Sequence, residues 1–98
     1  MEIDILYVAD CPHVGEARRR LRDALAEAGA SAVVREVQVT THHDAVRLGL
    51  RGSPTIRIDG RDAFAAGDEP SLACRLYRSA DGVERAPSVA QLVEALLR

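Results

Sequence analysis

Features on which nucleic-acid and membrane proteins depend are scarce in this sequence. It has no tryptophan and only 3% aromatic residues, so it lacks the stacking surfaces on which proteins bind unpaired bases. A net charge of −2 gives no electrostatic reason to expect binding to nucleic acid. No apolar run approaches the roughly 18 residues of a transmembrane helix. Glu2 and Asp4 make the N-terminus acidic, where a secretory signal is basic, and this predicts a cytoplasmic protein.

Lysine and asparagine are also absent, and cysteine occurs only at Cys11 and Cys74. All 13 basic residues are arginine, a usage typical of GC-rich genomes, so the choice of arginine says little about function. In a cytoplasmic chain, two cysteines predict reactive or metal-binding thiols rather than a structural disulfide. With 98 residues, 47% of them apolar and 29% charged, the chain has the composition of one globular domain over residues 1–98.

The first part of the chain alternates strand and helix patterns. Residues 3–8 form a short apolar run rich in β-branched side chains, which predicts a buried strand. From Pro12 the period changes to that of a helix, which Gly29 ends. The apolar positions of this helix share one face: Val14, Ala17, Leu21, Ala24, Leu25 and Ala28. Residues 33–39 alternate apolar and polar side chains and predict a second strand.

A short capped helix and a hairpin follow. Thr41, with Asp44 three residues later, has the spacing of a helix N-terminal cap. Residues 55–58 predict a third strand. The Asp-Gly pair at positions 59–60 is a strong two-residue turn signal, and it predicts a returning strand over residues 61–64.

The last third is predicted to be an inserted segment and a helix. Residues 65–72 are predicted as a loop, residues 74–78 as an added strand, and positions 81–82 as its turn. Ser88, with Gln91 at the third position, caps the final helix. The apolar face of this helix comprises Val89, Leu92, Val93, Leu96 and Leu97. The order β-α-β-α-β-β-insert-α predicts an α/β fold with a central mixed β-sheet flanked by helices.

Cys11 stands where a predicted strand gives way to a helix. Pro12, which follows it, is favoured in the first turn of a helix. A thiolate there faces unpaired N–H groups and the positive end of the helix, which favour its ionised form, and a protonated His13 would stabilise it further. The residues therefore predict that Cys11 is the more reactive thiol. The alternatives are a small side chain at a buried junction and a solvent-facing histidine.

Three segments resemble the thioredoxin superfamily, in which a cysteine at a helix start faces a cis-proline followed by a hairpin. They are Cys11-Pro12-His13-Val14, Gly49-Leu50-Arg51-Gly52-Ser53-Pro54-Thr55 and Ile58-Asp59-Gly60-Arg61. The resemblance spans almost the whole chain in the order of elements. It implies a bacterial thioredoxin-like domain over residues 1–98, a cis bond before Pro54, and the activity of a thiol–disulfide oxidoreductase.

The resemblance also implies how the parts of the site work. Cys11 would be the nucleophile, assisted by His13, and no cofactor would be needed. The substrate would be a protein or a low-molecular-weight thiol or disulfide, bound as an extended strand to backbone groups. The substrate-contacting residues would be Pro12, Ser53, Pro54 and Thr55.

One position departs from the pattern of the dithiol members. Val14 stands where those members carry a second cysteine, so the local disulfide cannot form. Cys74 is the remaining thiol, and the nine residues 65–73 before it can span up to roughly 30 Å, which permits but does not require pairing with Cys11. The alternative is that Cys74 is a buried small hydrophobe in a strand. As the less reactive thiol, Cys74 is expected to need higher pH or unfolding to react.

A narrower resemblance links the inserted segment to small bacterial thioredoxin-like proteins related to alkylmercury lyase. It is carried by Phe64, Pro70-Ser71-Leu72 and Cys74-Arg75-Leu76-Tyr77. The lyase uses two cysteines about as far apart as Cys11 and Cys74, and an aspartate three residues after the first cysteine protonates the leaving carbon. Val14 at that position cannot donate a proton, so lyase activity is expected to be absent or very slight even if mercury binds.

Three hypotheses follow for the function. The first is a thiol–disulfide oxidoreductase in which Cys74 or an external low-mass thiol resolves the Cys11 intermediate. The second is a protein that binds mercury or a similar soft metal between Cys11 and Cys74. The third is a non-catalytic interaction domain. No other metal site is expected, because His42, His43 and Asp44 have no further ligands at the usual spacing. The sequence carries no prediction of oligomeric state.

Overall fold

The computed structural model describes residues 1–64 and 69–98, in which strands and helices alternate at first and short strands precede the final helix. In chain order the elements are β1 (Glu2–Tyr7), α1 (Val14–Ala28), β2 (Val33–Gln38), α2 (His42–Leu48), β3 (Arg51–Ser53), β4 (Thr55–Ile58), β5 (Arg61–Asp62), β6 (Ser71–Cys74), β7 (Tyr77–Ser79), β8 (Gly82–Glu84) and α3 (Val89–Leu97).

The central sheet has four strands in the order β2-β1-β4-β5. β2 runs parallel to β1 and β4 runs antiparallel to it, so the sheet is mixed, as predicted. Ile3 and Ile5 of β1 are fully buried in one cluster with side chains of α1 and α3. Leu6 lies in a second cluster with Ala45 of α2, because successive side chains of a strand point to opposite faces. The predicted α/β class, with a central mixed sheet flanked by helices, is confirmed.

The helix ends follow the capping residues of the sequence. Gly29 ends α1 in the left-handed conformation at φ 63°. The Thr41 side chain accepts a hydrogen bond from the Asp44 N–H, and Ser88 and Gln91 form a reciprocal capping box. These predictions are confirmed. Within the described residues, none of the helices combines the length and apolar character needed to cross a membrane.

The buried face of α3 is shifted from the predicted one. Leu92, Ala95 and Leu96 are buried, whereas Leu97 is 68% exposed. Positions 92, 95 and 96 repeat with the three- and four-residue spacing of one helix face, and position 97 lies about 100° further around the helix. The prediction that Leu97 belongs to the apolar face is therefore wrong.

The segment after the hairpin differs most from the prediction. The returning strand β5 is shorter than predicted and ends at Asp62, and residues 65–68 of the predicted loop lie outside the described residues. The rest of that loop contributes Ser71 and Leu72 to β6, which pairs in parallel with β3. The predicted strand over residues 74–78 is divided into β6 and β7. These pairings join distant parts of the chain, so no local pattern announces them.

Candidate functional site

The Ser53–Pro54 bond is cis, which confirms the expectation from the thioredoxin resemblance. It joins β3 to β4 inside the molecule, and Ser53, Pro54 and Thr55 are almost completely buried. The Thr55 hydroxyl donates to the Gly52 carbonyl and accepts from the Arg51 N–H at 3.1 Å, which fixes the backbone on either side of the proline.

Cys11 lies in the turn between β1 and α1, and this turn is joined directly to Ser53. The Cys11 N–H donates to the Val8 carbonyl at 3.2 Å, and the Val8 N–H donates to the Ser53 hydroxyl oxygen at 3.1 Å. α1 begins at Val14, two residues later than predicted. Cys11 therefore precedes the helix rather than lying within its first turn. The residue is half-buried.

His13 occupies the N-cap position of α1, and its side chain makes no capping hydrogen bond. It lines a shallow cleft together with Glu16, Arg20 and Glu84. The Arg20 guanidinium is held there by Glu16 at 2.7 Å and Glu84 at 2.9 Å. His13 thus lies two residues from Cys11 beside a set of paired charges.

Cys74, at the end of β6, also lies next to Ser53, in the neighbouring strand. It is the register partner of Ser53, and the next residue, Arg75, donates its backbone N–H to the Ser53 carbonyl at 3.0 Å. Cys74 is exposed, so the alternative that it is a buried small hydrophobe is wrong. Both cysteines are free thiols.

The chain itself occupies the place predicted for the substrate strand. β6 pairs with β3, the Ser53 carbonyl accepts from Arg75, and the Pro54 carbonyl accepts from the Tyr77 hydroxyl. The two carbonyl groups nearest the cis bond therefore already have partners. A peptide could reach them only by displacing β6 and residues 75–77 that follow it.

Arg75 and its neighbours support this arrangement, and the sequence analysis missed them. The Arg75 guanidinium binds both carboxylate oxygens of Asp62, at 2.8 and 3.1 Å, and donates to the Phe64 carbonyl at 3.1 Å. It also lies 4.8 Å from the centre of the Tyr77 ring, which packs edge-on against Phe64. The only signal in the sequence was a charged residue between apolar ones in a strand-like segment. Its partner Asp62, 13 positions earlier, belongs to no sequence motif that would predict the ion pair.

Burial raises the pKa of the Tyr77 hydroxyl far above its usual value of 10.0. Arg75 opposes this shift, while the negative charges of Asp62 and of the Cys11 thiolate add to it. Two consequences follow. Tyr77 remains a hydrogen-bond donor to Pro54 at any physiological pH, and Cys11 lies within electrostatic reach of the same hydroxyl.

The free energy of unfolding is expected to fall as pH rises above about 10, because the unfolded chain ionises Tyr77 before the native protein does. Because folding raises the pKa of Tyr77, this residue destabilises the native protein only as the pH rises, and not as it falls. The contribution of Tyr77 is at most about 1.4 kcal/mol for each pH unit. Urea unfolding curves between about pH 9 and about pH 11 measure it.

The control for this prediction is a pair of conservative variants. Tyr77→Phe should lose the alkaline slope and cost about 1–3 kcal/mol at neutral pH, because the buried Pro54 carbonyl loses its donor. Tyr7→Phe should keep the slope. An unchanged slope in Tyr77→Phe would show that another group controls the alkaline transition.

Metal ligands are not clustered in the part of the chain that the structure covers. No group of three or more histidine, cysteine, aspartate or glutamate side chains there could hold a metal ion. His42 and His43 begin α2, and the Asp44 carboxylate accepts from Arg47 at 3.3 Å. A soft metal held by the two thiols alone is the remaining arrangement to consider.

Comparison with known proteins leaves the site to be interpreted from its own chemistry. No family model, no curated protein and no solved structure matches the chain.

Proposed function

We propose that this chain is a thioredoxin-like thiol–disulfide oxidoreductase in which Cys11 is the nucleophile and Cys74 resolves the intermediate. One observation carries the proposal: Ser53, beside the cis bond, is hydrogen-bonded to the Cys11 turn through Val8 and is the register partner of Cys74. The turn that carries Cys11 and the strand that carries Cys74 are therefore both joined to one buried segment. The order of strands and helices and the cis Ser53–Pro54 bond also support it.

In the proposed reaction, the Cys11 thiolate attacks one sulfur of a substrate disulfide. A Cys11–sulfur bond forms, the substrate S–S bond breaks, and the second substrate sulfur leaves as a thiolate that takes up a proton. The Cys74 thiolate then attacks Cys11 and expels the first substrate sulfur in the same way. The substrate gains two electrons, and the protein loses two in a Cys11–Cys74 disulfide. Two molecules of a low-mass thiol then reduce the Cys11–Cys74 bond: they supply the two electrons and the two protons and leave joined as their own disulfide.

We infer from the pairing of β6 with β3 that Cys74 attacks Cys11 from the side on which a substrate strand was expected. An extended substrate was expected beside Pro54 and Thr55, and β6 lies beside the same segment with Cys74 opposite Ser53. A thiol held in this position competes with external thiols for the Cys11 intermediate at a high effective concentration. Pro12 is exposed and adjoins Cys11 in sequence, and we retain it, together with His13, as a residue that a substrate contacts.

The test is reaction of the reduced protein with oxidised glutathione, followed by mass spectrometry. The natural protein should lose two hydrogens as the Cys11–Cys74 disulfide forms. Cys74→Ser should instead accumulate one glutathione on Cys11, because nothing displaces it. Cys11→Ser, the matched control, should acquire glutathione on Cys74 slowly and form no internal bond. Equal adduct formation on both cysteines of the natural protein, with no internal disulfide, would overturn the proposal in favour of a non-catalytic domain.

Soft-metal binding is the second candidate, favoured by the same two free thiols: Cys74 opposite Ser53, and Cys11 in the turn that is hydrogen-bonded to Ser53 through Val8. Mercury(II) would be held by two thiolates, which soft metals prefer. Val14 packs against the core, and no acid follows Cys11 at that position to protonate a carbon leaving the metal. Capture of one mercury ion per chain, lost in either cysteine variant, together with failure of the glutathione reaction, would favour this function over the first.

A further inference from the structure

The arginines divide into two groups. Within residues 1–64 and 69–98, seven of the 13 arginines form ion pairs with carboxylates. Four of the other six line one cleft: Arg51, Arg57, Arg61 and Arg98. Like charges that gather without carboxylate partners, in a chain of net charge −2, form a local positive field.

The cleft has a volume of about 470 Å³, which is the size of a small-molecule site. It lies beside the turn between β4 and β5, and Phe64 is among its lining residues. Among the described residues that line it, Asp62 is the one acid, and both oxygens of that carboxylate are bound by Arg75. An adjoining hollow includes Asp59, whose carboxylate accepts from the Glu2 N–H at 2.8 Å. Among the described residues, neither acid forms an ion pair with any of the four arginines.

Arg57 is fixed in place without losing its charge. Its two terminal nitrogens donate to the carbonyls of Leu48 and Gly60. Gly49 allows this close approach, since a Cβ there would lie 3.2 Å from the Arg57 Nη1 atom. Carbonyl oxygens orient a guanidinium but leave its positive charge uncompensated, so Arg57 provides a fixed positive charge in the cleft.

Arg51 and Arg61 differ from Arg57, because their guanidinium groups make no hydrogen bond to any described residue. They can turn toward a ligand. Arginine forks match the oxygens of phosphate groups two at a time, and a dianionic phosphate would satisfy several of these donors at once.

We propose that this cleft binds a phosphorylated small molecule, with Arg51 and Arg61 donating to the phosphate oxygens and Arg57 supplying the fixed charge. The volume exceeds that of a bare phosphate, so the organic part of the ligand lies against Phe64. The site is separate from the two cysteines, and the inference does not rest on the proposed thiol chemistry.

The experiment titrates inorganic pyrophosphate into the full chain at low ionic strength by calorimetry. Arg51→Gln and Arg61→Gln should each raise Kd about tenfold or more, because each removes a charged donor. Arg78→Gln is the matched control: Arg78 also lacks an ion pair among the described residues but lies outside the cleft, and its Kd should not change. Cys11→Ser should bind as the natural protein does.

Two results would overturn the inference. One is no binding of pyrophosphate, or an equal loss of binding in Arg51→Gln and Arg78→Gln, which would indicate a general effect of net charge. The other is tighter binding of a single-stranded oligonucleotide than of pyrophosphate, lost in the same cleft variants, which would assign the cleft to a nucleic-acid backbone instead.

Discussion

Replacing Arg75 with methionine is expected to lower the free energy of unfolding by about 3–5 kcal/mol. The Arg75 side chain is 5% exposed and the Asp62 side chain 12% exposed, so Arg75→Met leaves a carboxylate almost out of contact with water and with its charge uncompensated. The Phe64 carbonyl and the Tyr77 ring also lose the guanidinium. Denaturation in urea at neutral pH, monitored by far-UV circular dichroism, measures the loss.

A double variant separates two causes of this loss of stability: the unpaired charge of Asp62 and the lost packing of the Arg75 side chain. Arg75→Met combined with Asp62→Asn removes both charges, and the asparagine oxygen can still accept from the Phe64 N–H, as Asp62 does at 3.0 Å. The double variant should therefore be more stable than Arg75→Met alone. If Arg75→Met costs less than about 1 kcal/mol, the pair contributes no more than an exposed one.

Gly52→Ala is expected to cost about 2–4 kcal/mol and to slow formation of the Cys11–Cys74 disulfide. Gly52 has φ +98°, a conformation that residues with a side chain rarely adopt. A Cβ there would lie 2.7 Å from the Arg75 Cβ and 3.1 Å from its Cα. β6 must then move away from β3, and Cys74 moves with it. Urea unfolding gives the stability change, and the glutathione reaction gives the rate.

Gly60→Ala is the matched control for this prediction. Gly60 has a similar positive φ of +84°, but apart from its two chain neighbours no described residue has an atom within 4 Å of the position of an added Cβ. It therefore carries the backbone cost without the collision. The difference between the two variants measures the close approach of β3 and β6, and equal costs would contradict the argument.

The parts of the fold that follow from neighbouring residues were predictable. Gly29 ends α1, Ser88 and Gln91 cap α3, and the turn at positions 59–60 forms the β4–β5 hairpin. In each, the residues that specify the structure lie within a few positions of it, so the sequence pattern and the structure carry the same information.

The pairing of β3 with β6 was not predictable in this way. β3 has three residues, and its partner follows about 20 positions later. The ion pair that holds Arg75 joins residues 13 apart, and neither has a local motif. Sequence reasoning named Cys11 and Cys74 as the residues of interest. The exposure of Cys74 and its position opposite Ser53 depend on these long-range contacts, and so they required the structure.

In the proposed reaction the sulfurs of Cys11 and Cys74 must meet, and the unequal anchoring of the two residues determines which part of the molecule moves. β6 is held by its ladder with β3, by the bond from Arg75 to the Ser53 carbonyl and by the buried ion pair to Asp62. The turn before α1 is held near its start, by the bond from Val8 to the Ser53 hydroxyl and the bond from the Cys11 N–H to the Val8 carbonyl. Segments with few anchoring bonds open at the lowest free energy. In that reaction we therefore expect residues 9–13 to move toward Cys74, while β6 stays in place.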